Sequence, residues 1–353
     1  MLWFIRAVLL AELLCGCLGA PVNSDFFRGL GSGRRGGGDI SHPGVVFDNP
    51  PEKDPSLNPS LNPRIIHDAY QDVHLDMAET RMMAMLISIV YCHNETSLKS
   101  WTCFRCKDPL IEGFVVHEIV SIDSWDFFGY IGYFPKTNAK VIVFRGTNEH
   151  SLWNWVEDLR AERSSYPLGI PGTDGAYVHT GFFTLWNSSG AKARMTMALA
   201  ELMEKTGWGG TLYVGGHSMG AAVASLCALY MKYMFDLQDV RVYTFGSPRV
   251  GNTDFVKVYE KMTSVSVRMT HMADIVPSVP LTWFGYHHFP REVWQTDVFN
   301  STTNTTEFHY KICNGSGEDP SCHLSVCGWA ICRNITQHKW YMGMPMHNEH
   351  EEC

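Results

Sequence analysis

The sequence predicts an α/β fold: a central, mostly parallel sheet flanked by helices, in a single domain. Three observations predict it. Strand-like apolar runs alternate with helical patterns between residues 64 and 340. The pentapeptide Gly216-His217-Ser218-Met219-Gly220 sits between an apolar run, Thr211–Val214, and a helix-forming run, Ala221–Met231. Apolar residues make up 45% of the 353 and aromatics 12%, ample for a core of that size.

Taken in order, residues 1–20 join Arg6, an apolar stretch and a small-residue end, the form of a secretory signal peptide. Residues 21–63 form a Gly- and Pro-rich arm, with Gly29–Gly38 too flexible for a core and a short Ser-Leu-Asn-Pro repeat at 56–63. Arg34-Arg35 within it reads equally as a processing site or a solvated linker. From His67 the spacing becomes helical, with Ala78, Met82, Met85, Ile87 and Val90 on an apolar stripe. Gly113–Val120, Phe127–Tyr133 and Lys140–Phe144 read as strands. One helix is expected from after Val178 to about Lys205, then the strand before Ser218 and the helix behind it. Asp239–Phe245 and Ser264–Arg268 are further strands, and Gly251-Asn-Thr-Asp254 caps the helix between them. The domain is drawn at 64–340, with 341–353 a polar tail.

The formal net charge of -8, without a long basic run, argues against a nucleic-acid partner. No segment beyond the leader is long and apolar enough to span a bilayer. Of 11 cysteines, Cys15 and Cys17 fall in the leader and Cys227 on the apolar helix after Ser218, where a buried thiol is expected. The remaining eight allow four disulfides whose connectivity is open. Cys103-x-x-Cys106 has no second pair at zinc-finger spacing, so a disulfide is expected there and no metal site. Sequons begin at Asn94, Asn187, Asn300, Asn304, Asn314 and Asn334, and with the leader they indicate a secreted glycoprotein.

Gly-x-Ser-x-Gly between a strand and a helix makes a nucleophile elbow. The turn holds the serine in a strained backbone geometry, and glycines two residues either side let strand and helix pass closely. Helix N–H groups then face any oxyanion formed at Ser218. A serine hydroxyl needs a base. In elbow enzymes of this kind the acid and then the histidine follow the serine in chain order. Asp274, in His271-Met-Ala-Asp274-Ile-Val-Pro277, follows a strand and is the best acid; Asp254 competes but lies in a helix's first turn. For the base, His323 in an irregular loop beside Cys322 is favoured, that cysteine being expected to tether the loop; His287 and His288 stay open.

Seven blocks occur in order: Arg145-Gly-Thr147 with Asn154-Trp155, Val178–Phe182, Gly216–Gly220, Phe245–Gly251, Asp274–Pro277 and His323-Leu324. The set resembles the class 3, or fungal-type, lipase family of α/β-hydrolases over roughly 64–330. The resemblance implies a Ser218, Asp274, His323 triad and matches Tyr286-x-His288 to a structural block, which demotes His288. It implies oxyanion donors at Thr147 and Met219, and a lid in Asn148–Leu159, where Leu152, Trp153, Trp155, Val156 and Leu159 fall mostly on one side. The implied activity is hydrolysis of lipid carboxylic esters through an acyl-enzyme on Ser218, without metal or organic cofactor. An esterase for soluble or aromatic esters and a non-catalytic lipid-binding protein of the same fold are the alternatives.

Overall fold

The computed structural model describes residues 64–67, 75–92, 94–147, 149–161, 165–328, 332 and 334–347. The expected leader, 1–20, and the whole of the arm, 21–63, lie outside these residues. In chain order the elements are β1 (Arg64–His67), α1 (Met77–Ile89), α2 (Glu95–Lys99), β2 (Val115–Ile122), β3 (Phe127–Phe134) and β4 (Ala139–Phe144). Then come α3 (Glu149–Ala161), β5 (Ser165–Pro167), β6 (Tyr177–His179), α4 (Thr180–Ser188), α5 (Ala191–Thr206), β7 (Leu212–His217) and α6 (Met219–Phe235). The chain continues with β8 (Val240–Phe245), α7 (Thr253–Met262), β9 (Val265–His271), β10 (Glu292–Asn300), β11 (Thr305–Ile312), α8 (His323–Cys327), β12 (Trp340–Tyr341) and β13 (Met344–Pro345).

Nine strands form one sheet in the order β1-β11-β10-β9-β8-β7-β4-β3-β2. The middle five, β4, β7, β8, β9 and β10, run parallel, and the hairpins β2–β3–β4 and β10–β11 turn the sheet antiparallel at each side. Strand alternation sends Val141 and Val143, Tyr213, and Tyr243 and Phe245 into one apolar layer, with α1 and the β12–β13 ribbon. Ile142, Phe144, Leu212, Val214, Val240 and Val242 enter the other, under α3 to α7. Helix α6 is buried almost all round, including the free thiol of Cys227, so it forms the spine behind Ser218.

The structure corrects three expectations. The long helix after Val178 is two helices, broken at Ser189-Gly190, where Gly190 takes φ 89°. Strands β10 and β11 add a hairpin beyond β9. Residues 341–347, assigned to a polar tail, are ordered: Tyr341, Met342, Met344 and Met346 are buried, and Met346 N–H donates to the Lys339 carbonyl at 2.7 Å. Disulfides join Cys103 to Cys106, Cys313 to Cys322 and Cys327 to Cys332, and Cys92 is disulfide-bonded. Cys313, Asp319 and Cys322 converge, but with both thiols oxidised they offer no thiolate pair to a metal.

Candidate active site

The site forms at the carboxyl edge of the parallel strands. Strand β7 ends at His217, and Ser218 turns at φ 58°, ψ -131°, a left-handed φ that a non-glycine residue adopts only under constraint. The turn needs its glycines: a Cβ on Gly216 would lie 2.3 Å from the Gly220 carbonyl oxygen, and one on Gly220 would lie 2.5 Å from that of Arg145. Ser218 is buried, and its Oγ makes no hydrogen bond among the described residues.

Asp274 follows β9 and is fully buried. Its Oδ1 accepts the Val276 N–H at 2.9 Å. Its Oδ2 accepts Nδ1–H of His338 at 2.8 Å and the hydroxyl of Tyr341 at 2.5 Å. Burial alone would raise this carboxyl's pKa; the His338 ring and these three donors outweigh burial and hold it below the usual carboxylate value. With Nδ1 donating to the carboxylate, His338 presents a lone pair at Nε2, which is buried and without a partner among the described residues. Ser218 and His338 line the same cleft, about 10 Å³ in volume, together with Tyr91, Thr147, Leu152 and His217.

The structure therefore sets His338, not His323, against the acid. His323 opens α8, and its Nε2 lies 2.6 Å from the main-chain carbonyl of Asp274, to which it donates. It props the acid's backbone and stays off the carboxylate. The Cys313–Cys322 bridge does tether its segment, as expected. His288 is likewise spent on a main-chain oxygen, that of Pro277 at 2.8 Å. Asp254 pairs with exposed Lys257 in the first turn of α7. Sequence reasoning missed His338, and its position in the chain is only a permissive signal. His338 follows Ser218 and Asp274 in the required order and stands three residues before Tyr341, whose hydroxyl serves the same carboxylate. Gly246 leaves room for this pair: a Cβ there would meet the His338 ring at 2.8 Å and Asp274 Oδ2 at 3.0 Å.

A second imidazole braces this arrangement. His217 Nε2–H donates to the His338 carbonyl at 2.8 Å, so its Nδ1 is an acceptor and takes the Tyr91 hydroxyl at 2.6 Å. The Tyr91 oxygen accepts the Gly146 N–H at 2.9 Å. Burial, then repulsion from the His338 ring, pushes the His217 pKa well below its ordinary value, which keeps it neutral. Thr147 follows that loop and donates its hydroxyl to Met219 Sδ at 3.4 Å, so the two expected oxyanion residues are in contact beside Ser218.

Helix α3 lines the cleft through Leu152. Leu152, Val156 and Leu159 are buried, whereas Trp153 stays exposed. A separate cavity of about 240 Å³ runs from Thr147 and Met219 between Trp125, Trp155, Phe182 and Leu185. It offers an apolar groove next to the nucleophile.

A family model described as "Lipase (class 3)" matches residues 141–284, which include Ser218 and Asp274; His338 lies beyond them. Secreted mono- and diacylglycerol lipase 1 of Fusarium solani is 29% identical over 278 residues, 76% of this chain and 78% of that protein. Secreted mono- and diacylglycerol lipase A of Penicillium cyclopium is 34% identical over 217 residues, 60% of this chain and 65% of that protein. Among solved structures, the native Rhizomucor miehei lipase propeptide complex aligns with a TM-score of 0.63 at 25% identity, covering 76% of this chain and 80% of that one.

Proposed function

The chain belongs to the class 3 lipase family of α/β-hydrolases, and from that premise we propose that it is a serine hydrolase cleaving carboxylic esters of lipids, with Ser218, His338 and Asp274 as its triad. One observation carries the assignment of roles. The Ser218 oxygen and the His338 Nε2 share one small cleft, both buried and both unpartnered among the described residues, while the other His338 nitrogen is held by the Asp274 carboxylate.

The chemistry follows from that geometry. His338 Nε2 takes the hydroxyl proton as Ser218 Oγ attacks the ester carbonyl, and Asp274 stabilises the imidazolium that forms. The carbonyl oxygen gains charge and is met by the N–H groups of Met219 and Thr147; one such donor lowers the barrier by about 3 kcal/mol. The C–O bond to the alcohol breaks, and His338 returns its proton to the leaving alkoxide. Water, activated by the same nitrogen, then releases the fatty acid and restores Ser218.

The substrate class rests on the apolar groove beside Met219 and on the names of the relatives, both mono- and diacylglycerol lipases. A cleft near the volume of one water admits no ester, so α3 must move for substrate to enter. Exposed Trp153 gives that helix a contact for a lipid–water interface. Extracellular action is supported by the relatives' description as secreted and by the disulfides. None of the six sequon asparagines is buried. Among the described residues no helix is long and apolar enough to cross a membrane.

Ser218→Ala against the parent, assayed on emulsified and on soluble esters, tests the reading. Loss of both activities is expected, and undiminished hydrolysis by the variant would overturn it.

A further inference from the structure

His338 is the middle residue of a 3-10 turn, Gln337–Lys339, and the main-chain carbonyls on both sides of it are held by other buried histidines. His217 donates to the carbonyl of His338 itself. The preceding carbonyl, of Gln337, lies 2.8 Å from Nδ1 of His271, the last residue of β9. The other nitrogen of that ring, Nε2, lies 2.8 Å from Oδ2 of Asp297 on β10.

Neither partner of His271 brings a hydrogen of its own. A carbonyl only accepts, an ionised carboxylate only accepts, and a neutral imidazole carries a single N–H. Satisfying both contacts therefore requires the imidazolium. Asp297 is prepared for the matching charge, since its Oδ1 also accepts from Gln295 Nε2 at 2.9 Å. The groups facing the ring are Asp297 from β10, Asp274 from the turn after β9, and the Tyr341 ring of β12 at 5.6 Å between centroids. Burial alone would drive the proton off, but the Asp297 charge and hydrogen bond outweigh it and raise the His271 pKa. Two further bonds tie down the same corner: Ala273 N–H donates to Gln337 Oε1 at 2.8 Å, and Met272 N–H to the Gln295 carbonyl at 2.8 Å.

We infer that His271 is a positioning residue of the hydrolytic reaction: as an imidazolium clamped between Asp297 and the Gln337 carbonyl, it sets where the His338 ring stands against Ser218. The inference rests on the reading of His338 as the base. On deprotonation the charge-assisted Nε2–H on Asp297 is kept and Nδ1 gives its proton to solvent, which removes the contact to the Gln337 carbonyl and releases one tie on the segment carrying His338. Turnover then falls on the alkaline side, while substrate binding, which depends on the groove, does not change.

The test combines nuclear magnetic resonance with kinetics on the full chain. In 15N-histidine-labelled protein, the His271 ring, assigned through its loss in His271→Gln, is expected to show two protonated nitrogens at pH 7 and one at alkaline pH. That change should coincide with a fall in kcat at constant KM. Asp297→Asn supplies an amide that can donate to Nε2 of a neutral His271, so both contacts survive without the extra proton and the alkaline fall should vanish. His271→Phe should lower kcat by roughly tenfold or more, with KM within about twofold. Should His271→Phe not fold, the ring nitrogens and Asp297→Asn decide alone. An active parent whose His271 ring is neutral at pH 7, or an Asp297→Asn protein that keeps the alkaline fall, overturns this inference and spares the hydrolase reading. A parent inactive on every ester overturns both.

Discussion

The carbonyl of His338 accepts the Nε2 hydrogen of His217 at 2.8 Å, which joins the proposed base to the residue just before the proposed nucleophile. Through Tyr91 the same ring reaches Gly146, whose N–H heads the loop that supplies Thr147. Four residues from four parts of the chain thus fix base and oxyanion donor relative to one another. Each N–H or O–H in the series has one acceptor, so the series is fully satisfied.

Tyr91→Phe breaks this series at its centre. It leaves the Gly146 N–H and His217 Nδ1 unpaired in a buried place, at about 1–3 kcal/mol for each stranded group. The expected result is a kcat lowered roughly ten- to a hundredfold with little change in KM, measured on a soluble ester below the concentration at which it aggregates.

His323→Gln should separate stability from catalysis. The wild-type ring donates to the Asp274 carbonyl from a buried position, so the substitution is expected to lower the melting temperature through about 1–3 kcal/mol of lost hydrogen bonding and packing. kcat should stay within about tenfold of the parent, because the carboxylate keeps all three of its donors. Thermal unfolding and steady-state rates on one preparation check both halves.

Acid should destabilise the fold well above the carboxylate range. His217, His288 and His323 all have pKa values lowered by burial. Unfolded, each binds a proton below about pH 6.5, and folded it resists doing so. Their contribution to stability is therefore complete above that pH and is lost as pH falls toward the lower folded values. With three protons taken up on unfolding, the slope reaches at most roughly 4 kcal/mol per pH unit. Urea unfolding between pH 7 and 5.5 checks this, and His288→Gln, which keeps a donor for the Pro277 carbonyl, should show a shallower slope.

Leu152 of α3 is buried and lines the cleft of Ser218, so its burial helps hold the helix down. Leu152→Ser removes about 2 kcal/mol of that hold, roughly a thirtyfold shift toward the open helix. Rates on dissolved ester should rise, and the jump at the onset of emulsion should shrink. Rate measured against substrate concentration through that onset tests the closure.

The legible parts of this chain were those fixed by local rules. The parallel strands are buried on both faces and read as apolar runs, and the Gly216–Gly220 turn has a steric requirement that any sequence forming it must meet. The break at Ser189-Gly190 has a local signal, the polar run Asn187-Ser-Ser-Gly190, which the expectation of one continuous helix overrides. The β10–β11 hairpin was missed because its strands carry polar, half-buried positions such as Thr296, Asp297 and Glu307. The proposed base is the least legible part of the site. His323 and His338 both touch Asp274, one at its main-chain oxygen and one at its carboxylate. Chain order favours neither, and the difference exists only once the turn Gln337–Lys339 and β12 bring His338 and Tyr341 to the same oxygen.

The most direct test of the account is the rate at which a fluorophosphonate forms its covalent adduct on Ser218, mapped by mass spectrometry in the parent, His338→Ala and His323→Gln proteins. The account predicts rapid labelling of Ser218 in the parent and in His323→Gln, and labelling slowed by about a thousandfold or more in His338→Ala. Fast labelling without His338, or its loss on changing His323 in a folded protein, would contradict it.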